Sequence, residues 1–209
     1  MLAGDGVDIS NLQGGITMEA MKQRLRQALS QRQKRHIVDA NRVPSAVLVP
    51  IYYKQGEYYI LFTKRTGKVK EHKGQISFPG GAYQDRDGAL VDTALRECAE
   101  EIGLTADKVE VLGELDDNIT LRTGYIISPF VAIIPWPHPL KVDQREIKEI
   151  IEVPISALLD KNSLCQETEV IDGKTVTTYF YRHQGRVIWG ATARILNQFL
   201  DIFARAMKD

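Results

Sequence analysis

Cysteine is nearly missing: Cys98 and Cys165 are the only two among 209 residues. Two thiols build neither a disulfide framework nor a four-thiolate zinc site, and they suit a reducing compartment, so a cytoplasmic protein is expected. Net charge is missing too, with 27 Lys and Arg against 27 Asp and Glu. A broad surface for polyanions is therefore not expected, and neither is a nucleic-acid partner. The first ten residues hold Asp5 and Asp8 and no basic stretch ahead of an apolar run, so no signal peptide is expected. The uncharged run 123–140 contains Pro129, Pro135, Pro137 and Pro139. A membrane helix would not tolerate these together, so the run reads as a buried strand and a proline-rich turn, with no membrane partner.

What remains is ordinary globular material, 44% apolar and 26% charged, enough to bury a sizeable core. Residues 1–16 are rich in Gly and Asp without periodicity and read as a flexible tail; 17–209 read as one domain. Thr17 caps an expected helix to about His36, with Met18, Met21, Leu25, Ala28 and Leu29 as an apolar stripe. Its other faces are basic, which suits a solvated helix packed on the domain edge or a contact with an anionic partner. A hairpin follows, 46–53 and 58–64 around Gly56, then a short strand 76–78 stopped by Pro79-Gly80-Gly81. A helix is expected from about Gly88 to Ile102, ended by Gly103. Further strands are expected at 109–115, 126–134 and 149–153, with turns at Asp172-Gly173 and Gln184-Gly185 and a last helix over 191–207. Helices at both ends and in the middle, with strands between, imply an α/β fold in which helices sandwich a mixed sheet.

The middle helix carries the chemistry. At 100° per residue Leu90, Val91, Ala94, Leu95, Cys98 and Ile102 share one arc that packs on the sheet. Glu97 sits at the edge of that arc, Glu101 projects between the directions of Leu90 and Ala94, and Glu100 lies outside. Three carboxylates near the negative end of a helix dipole cost up to about 1 kcal/mol each, and the Glu97–Glu101 pair adds a few tenths. Only Glu100 has a base at helical spacing, Arg96; Thr93 and Thr105 stand where Lys or Arg would relieve the others. A divalent cation removes all three penalties, and oxygen ligands without a thiolate or imidazole cluster favour Mg²⁺ or Mn²⁺. The paired glycines ahead of the helix let a backbone approach a phosphate or metal closely.

Gly81 through Leu104 resembles the box of the Nudix hydrolases, most strongly in Arg96-Glu97-Cys98-Ala99-Glu100-Glu101-Ile102-Gly103-Leu104. Its first half departs: with five residues between, Gly81 is followed by Asp87 instead of Glu, and eight residues instead of seven separate Asp87 from Arg96. Upstream, Leu61-Phe62-Thr63-Lys64-Arg65-Thr66, Lys70, Gly74 and Phe78-Pro79-Gly80-Gly81 resemble the signature of the coenzyme A pyrophosphatases within that family, with its spacing kept. Lys70 replaces an Arg there and loses the guanidinium fork.

The resemblance implies a Nudix-like α/β/α sandwich and metal-dependent cleavage of a nucleoside diphosphate derivative. Glu97, Glu100 and Glu101, with Gly81, would hold Mg²⁺ or Mn²⁺. Arg96 would orient a glutamate, and Glu146 is a candidate base. Arg65, Lys70, Gly74, Phe78 and Gly80 would meet the substrate, coenzyme A or a derivative, giving 4′-phosphopantetheine and adenosine 3′,5′-bisphosphate. The competing expectations are a Nudix hydrolase for ADP-ribose, NADH or another nucleotide, and a non-catalytic Nudix-fold binding module. A homodimer is left open.

Overall fold

A computed structural model describes residues 16–66, 74–120, 123–171 and 174–208. The expected tail lies outside them except for Ile16, whose carbonyl accepts from the Tyr58 hydroxyl. Helix α1 is Met18–Ser30, with Thr17 as cap: its Oγ1 accepts from the Ala20 N–H at 3.2 Å. The helix stops short of His36 because the next backbone groups have other partners. Asp116 Oδ1 takes the N–H of Arg35, Asp117 Oδ2 that of Ile37, and the Asp117 N–H returns to the Arg35 carbonyl. Basic residues of α1 and of the segment after it are clamped to their own domain. Lys22 and Arg26 meet Glu110, Arg32 meets Asp116, and Lys34 meets Glu114 and Asp117.

Strands β1 (Val43–Lys54) and β2 (Glu57–Arg65) form the expected hairpin, with Gln55 and Gly56 at positive φ in its turn. β3 (Ile76–Ser77) pairs with β2. The Pro-Gly-Gly segment does more than stop that strand. Gly80–Ala82 re-enters the sheet as β4, antiparallel to β1, with Gly80 opposite Val47 and Gly81 opposite Ala46. Only glycine fits at 80: at φ 154°, a Cβ would lie 2.3 Å from the Ala46 carbonyl oxygen.

Helix α2 (Leu90–Ile102) begins two residues later than expected, where Asp92 Oδ2 accepts from the Ala89 N–H. It ends at Gly103, left-handed at φ 73°. β5 (Glu110–Glu114), β6 (Asn118–Ile119), β7 (Tyr125–Ile133) and β8 (Ile147–Pro154) complete an eight-stranded mixed sheet. β1 and β7 run parallel along nine residue pairs, and β8 lines the far side of β2. After the short α3 (Ile155–Leu159), β9 (Leu164–Ile171), β10 (Lys174–His183) and β11 (Arg186–Trp189) form a separate antiparallel sheet. The Gln184-Gly185 turn joins β10 to β11 with both residues at positive φ; the Asp172-Gly173 turn lies outside the described residues.

The chain closes with α4 (Gly190–Ala206). Alternation along the strands makes two cores. Val49, Ile51, Ile60, Phe62, Val131 and Ile133 pack under α1 and α4 through Leu25, Leu29, Leu196, Phe199 and Phe203. On the opposite face Leu48, Tyr52, Leu61, Phe130 and Ala132 meet Ala94, Cys98 and Ile102 of α2. This is the α/β/α sandwich, with α1 and α4 on one side of the sheet and α2 on the other. No helix among the described residues is long and apolar enough to cross a membrane.

Candidate active site

The acidic end of α2 lies against β4, and the glycines set how closely. A Cβ on Gly81 would sit 2.5 Å from the Glu97 carboxylate, so that carboxylate occupies the space the missing side chain leaves. One turn on, Glu101 is 3% exposed, and one oxygen receives the Gly80 N–H at a long 3.4 Å. Burial pushes its pKa up to about 8, with the Arg65 charge pulling down and Glu97 and Glu146 adding to the rise. Burial raises Glu97 too, against the hydrogen bond from Arg96. Glu100 is half exposed and takes Arg86 at 3.0 Å and Arg96 at 3.2 Å.

Arg96 is the brace of this corner. Its guanidinium donates to Glu97 at 2.6 Å, to the Ala82 carbonyl at 3.0 Å, and through Nε and Nη2 to Asp87 at 2.8 and 3.0 Å. Asp87 also accepts from Thr93 Oγ1 and the Gln84 N–H. The hydrogen bonds from Arg96 hold the Asp87 carboxyl well below the usual carboxylate range. The acidic trio is thus less bare than helical spacing suggests. Relief comes from Arg96 beside Glu97 and from Arg86 and Arg65, which are remote in sequence.

Glu146 arrives from a loop that is stitched down at several points. The Asp143 N–H bonds the Glu101 carbonyl, and the Glu146 carbonyl and Arg145 carbonyl accept from the Thr66 N–H and hydroxyl. Its carboxylate is half exposed and lies 3.7 Å from Arg65 Nη2. Arg65 in turn stands 4.0 Å from Glu101. So Glu97, Glu101, Gly80, Gly81, Arg65, Arg96 and Glu146 share one corner.

The other expected substrate residues are dispersed. Phe78 is 2% exposed and stacks on Phe62 at 4.9 Å, a core position that ligand does not reach. Gly74 lines a cleft of about 310 Å³ with Lys64, Ile76, Arg186 and Trp189. Lys70 lies outside the described residues. Asp87, Thr66 and Asp143 take positioning roles that the sequence reading does not assign them. For Asp87 a signal exists in its count of five from Gly81; for the other two, long-range pairing leaves no local pattern.

Among the described residues no three acidic, imidazole or thiol side chains are gathered into a ready cation cage. The donor set nevertheless suits a hard divalent cation. Two mutually repelling carboxylates are held in partial burial, the deeper one takes a long hydrogen bond from Gly80, and the Gly81 cradle admits no side chain.

The NUDIX domain family matches residues 42–172. The uncharacterized Nudix hydrolase NudL of Photorhabdus laumondii is 36% identical over 164 residues, 78% of this chain and 86% of its own. NudL of Yersinia pestis is 32% identical over 161 residues, 77% of this chain and 80% of its own. The MutT protein of Methanosarcina mazei has the same fold at TM-score 0.51 and 18% identity, covering 86% of this chain and all of that one. A MutT/nudix family protein of Enterococcus faecalis matches at TM-score 0.52 and 17% identity over 94% of this chain and 76% of that one. The chain belongs to the Nudix family and is a pyrophosphohydrolase of nucleoside diphosphate derivatives.

Proposed function

We propose that this pyrophosphohydrolase acts on coenzyme A or its derivatives with Mg²⁺ or Mn²⁺, in the cytoplasm. The carrying observation is the corner where Glu97 and Glu101 face Gly80 and Gly81 beside Arg65. Arg65 belongs to the coenzyme A signature and Glu101 to the Nudix box, and their 4.0 Å approach supports reading the two motifs as parts of one site. The signature's spacing also supports the substrate. It runs along β2, turns through β3, and delivers the glycines of β4 to the acidic helix.

Glu97 and Glu101 would hold the ion, with Glu100 at the outer edge and the Gly81 backbone alongside. A divalent ion there supplies positive charge that neutralises the diphosphate and makes nearby water more acidic. Arg96, fixed by Asp87, holds one oxygen of Glu97 and so would orient that carboxylate for ligation. Arg65 offers a planar fork to the diphosphate. Glu146, anchored through Thr66 and exposed on one side, accepts a proton from the attacking water.

The test is turnover of coenzyme A, dephospho-coenzyme A, ADP-ribose and NADH with Mn²⁺, with products analysed by phosphorus-resolved methods in H₂¹⁸O. Preference for coenzyme A, with 4′-phosphopantetheine and adenosine 3′,5′-bisphosphate as products, is expected. A preference for ADP-ribose of about a hundredfold, worth about 2.7 kcal/mol in transition-state binding, would overturn the substrate reading and leave the metal reading standing.

A further inference from the structure

The two arginines of the site are held in opposite ways. Arg96 makes five hydrogen bonds between 2.6 and 3.2 Å, to Asp87, Glu97, Glu100 and the Ala82 carbonyl. Its head group is locked. Arg65 faces Glu101 at 4.0 Å and Glu146 at 3.7 Å, charge contacts beyond hydrogen-bond length. Its Nε is buried with no hydrogen-bond partner among the described residues. A buried guanidinium nitrogen without an acceptor is costly, so this position is a loose resting place. The backbone, by contrast, is fixed. The Arg65 N–H bonds the Gln75 carbonyl, and Thr66 is tied by its N–H and hydroxyl to the 145–146 backbone. The head can move while the strand stays.

We infer that Arg65 is a built-in counter-ion of this acidic corner: it lies against Glu101 and Glu146 in the metal-free protein and must be displaced by the divalent cation that enters beside Glu101. The inference rests on the reading of Glu97 and Glu101 as ligands. The physical reason is that a guanidinium and a divalent ion compete for the same carboxylate face and repel each other across it. Once displaced, Arg65 leaves both of its carboxylates behind, and a diphosphate supplies the bidentate acceptor its fork lacks. Arg65 therefore weakens metal binding alone and strengthens substrate binding to the loaded enzyme. Metal and substrate then bind cooperatively, the second compensating for the counter-ion that the first displaces.

The experiment is a titration of the metal-free protein with MnCl₂, followed by the electron paramagnetic resonance signal of free Mn²⁺. The forms compared are wild type, Arg65→Ala, Arg65→Gln and Arg65→Lys, each checked for folding by circular dichroism. In the absence of substrate, Arg65→Ala and Arg65→Gln should bind Mn²⁺ about tenfold more tightly than wild type. Arg65→Lys, which keeps the charge, should stay within about threefold of it. All three variants should show a raised KM for coenzyme A. The Gln variant decides the matter if the Ala variant does not fold. Equal or weaker Mn²⁺ binding by the neutral variants would overturn the counter-ion role while leaving the ligand assignment intact. A wild type that binds no Mn²⁺ would remove the ligand assignment, and the inference with it.

Discussion

Replacing Glu101 with Gln separates the cost of burying this carboxylate from its use. Its carboxyl is lifted from an ordinary 4.5 to about 8, first by burial and then by the charges of Glu97 and Glu146, with Arg65 opposing. In the metal-free protein the folded state holds a proton that the unfolded chain has released. This stability is complete below about pH 4.5 and is lost as the pH rises through 8. At about 1.4 kcal/mol per tenfold, keeping Glu101 buried costs under about 1 kcal/mol at pH 5 and roughly 4 kcal/mol at pH 8. Total stabilities of about 5–15 kcal/mol make that a large fraction.

The glutamine of the Glu101→Gln variant would fill the same volume without titrating. Urea unfolding in EDTA should therefore show the wild type losing about 3 kcal/mol relative to Glu101→Gln between pH 5 and pH 8. Groups that do not interact with Glu101 titrate alike in both proteins and cancel from the comparison. Adding Mn²⁺ at pH 8 reverses the order, since a hundredfold excess over Kd adds about 2.7 kcal/mol to a protein that binds it. The variant should gain little, and should hydrolyse substrate at under about 1% of the wild-type rate. Parallel stability curves for the two proteins from pH 5 to 8 would refute the reasoning, because Glu101 would then carry no burial penalty for a cation to relieve.

Gly81→Ala should lower hydrolysis about a hundredfold by displacing Glu97, because the new Cβ would lie 2.5 Å from its carboxylate. Asp87→Asn should lower the melting temperature at pH 7. Asp87 is held low in the folded state, so its contribution is present above about pH 4 and lost as the pH falls; the gap between the two proteins should close toward pH 2. Leu25 is fully buried beneath the sheet, so Leu25→Ala should cost about 2–5 kcal/mol in urea unfolding. An unchanged midpoint would mean that α1 is not part of the folded unit.

Legibility followed the range of the forces. Thr17, Gly56 and Gly103 announce their turns and caps locally, and the elements they bound lie within a few residues of expectation at those ends. The helical arc of α2 likewise assigned Ala94, Cys98 and Ile102 to the sheet and left Glu101 on a flank that is buried. Where pairing partners are remote, local pattern misled. α1 ends early because Asp116 and Asp117, some 80 residues away, claim the backbone of Arg35 and Ile37. Pro-Gly-Gly reads as a stop signal, yet β4 forms because Val47 and Ala46 of β1 accept a strand without side chains. Phe78 sits inside a signature of site residues and is given over to packing with Phe62.

The altered first half of the Nudix box follows the same rule at the site itself. Asp87 has one methylene fewer than the Glu of the pattern, and one residue more lies between it and Arg96. The contact with Arg96 survives both changes. The Asp87 N–H bonds the Gln84 carbonyl, its carboxylate takes the Gln84 N–H, and its carbonyl accepts from the Tyr83 hydroxyl, closing a compact turn. That turn fixes Asp87 ahead of α2 and presents its shorter side chain to Nε and Nη2 of Arg96. A pattern of fixed spacing encodes contacts in space, and here the Asp87–Arg96 contact is kept although the count between them has changed. What has to be kept is a buried anion two hydrogen bonds deep on Arg96, because that leaves Nη1 free to hold Glu97 against Gly81.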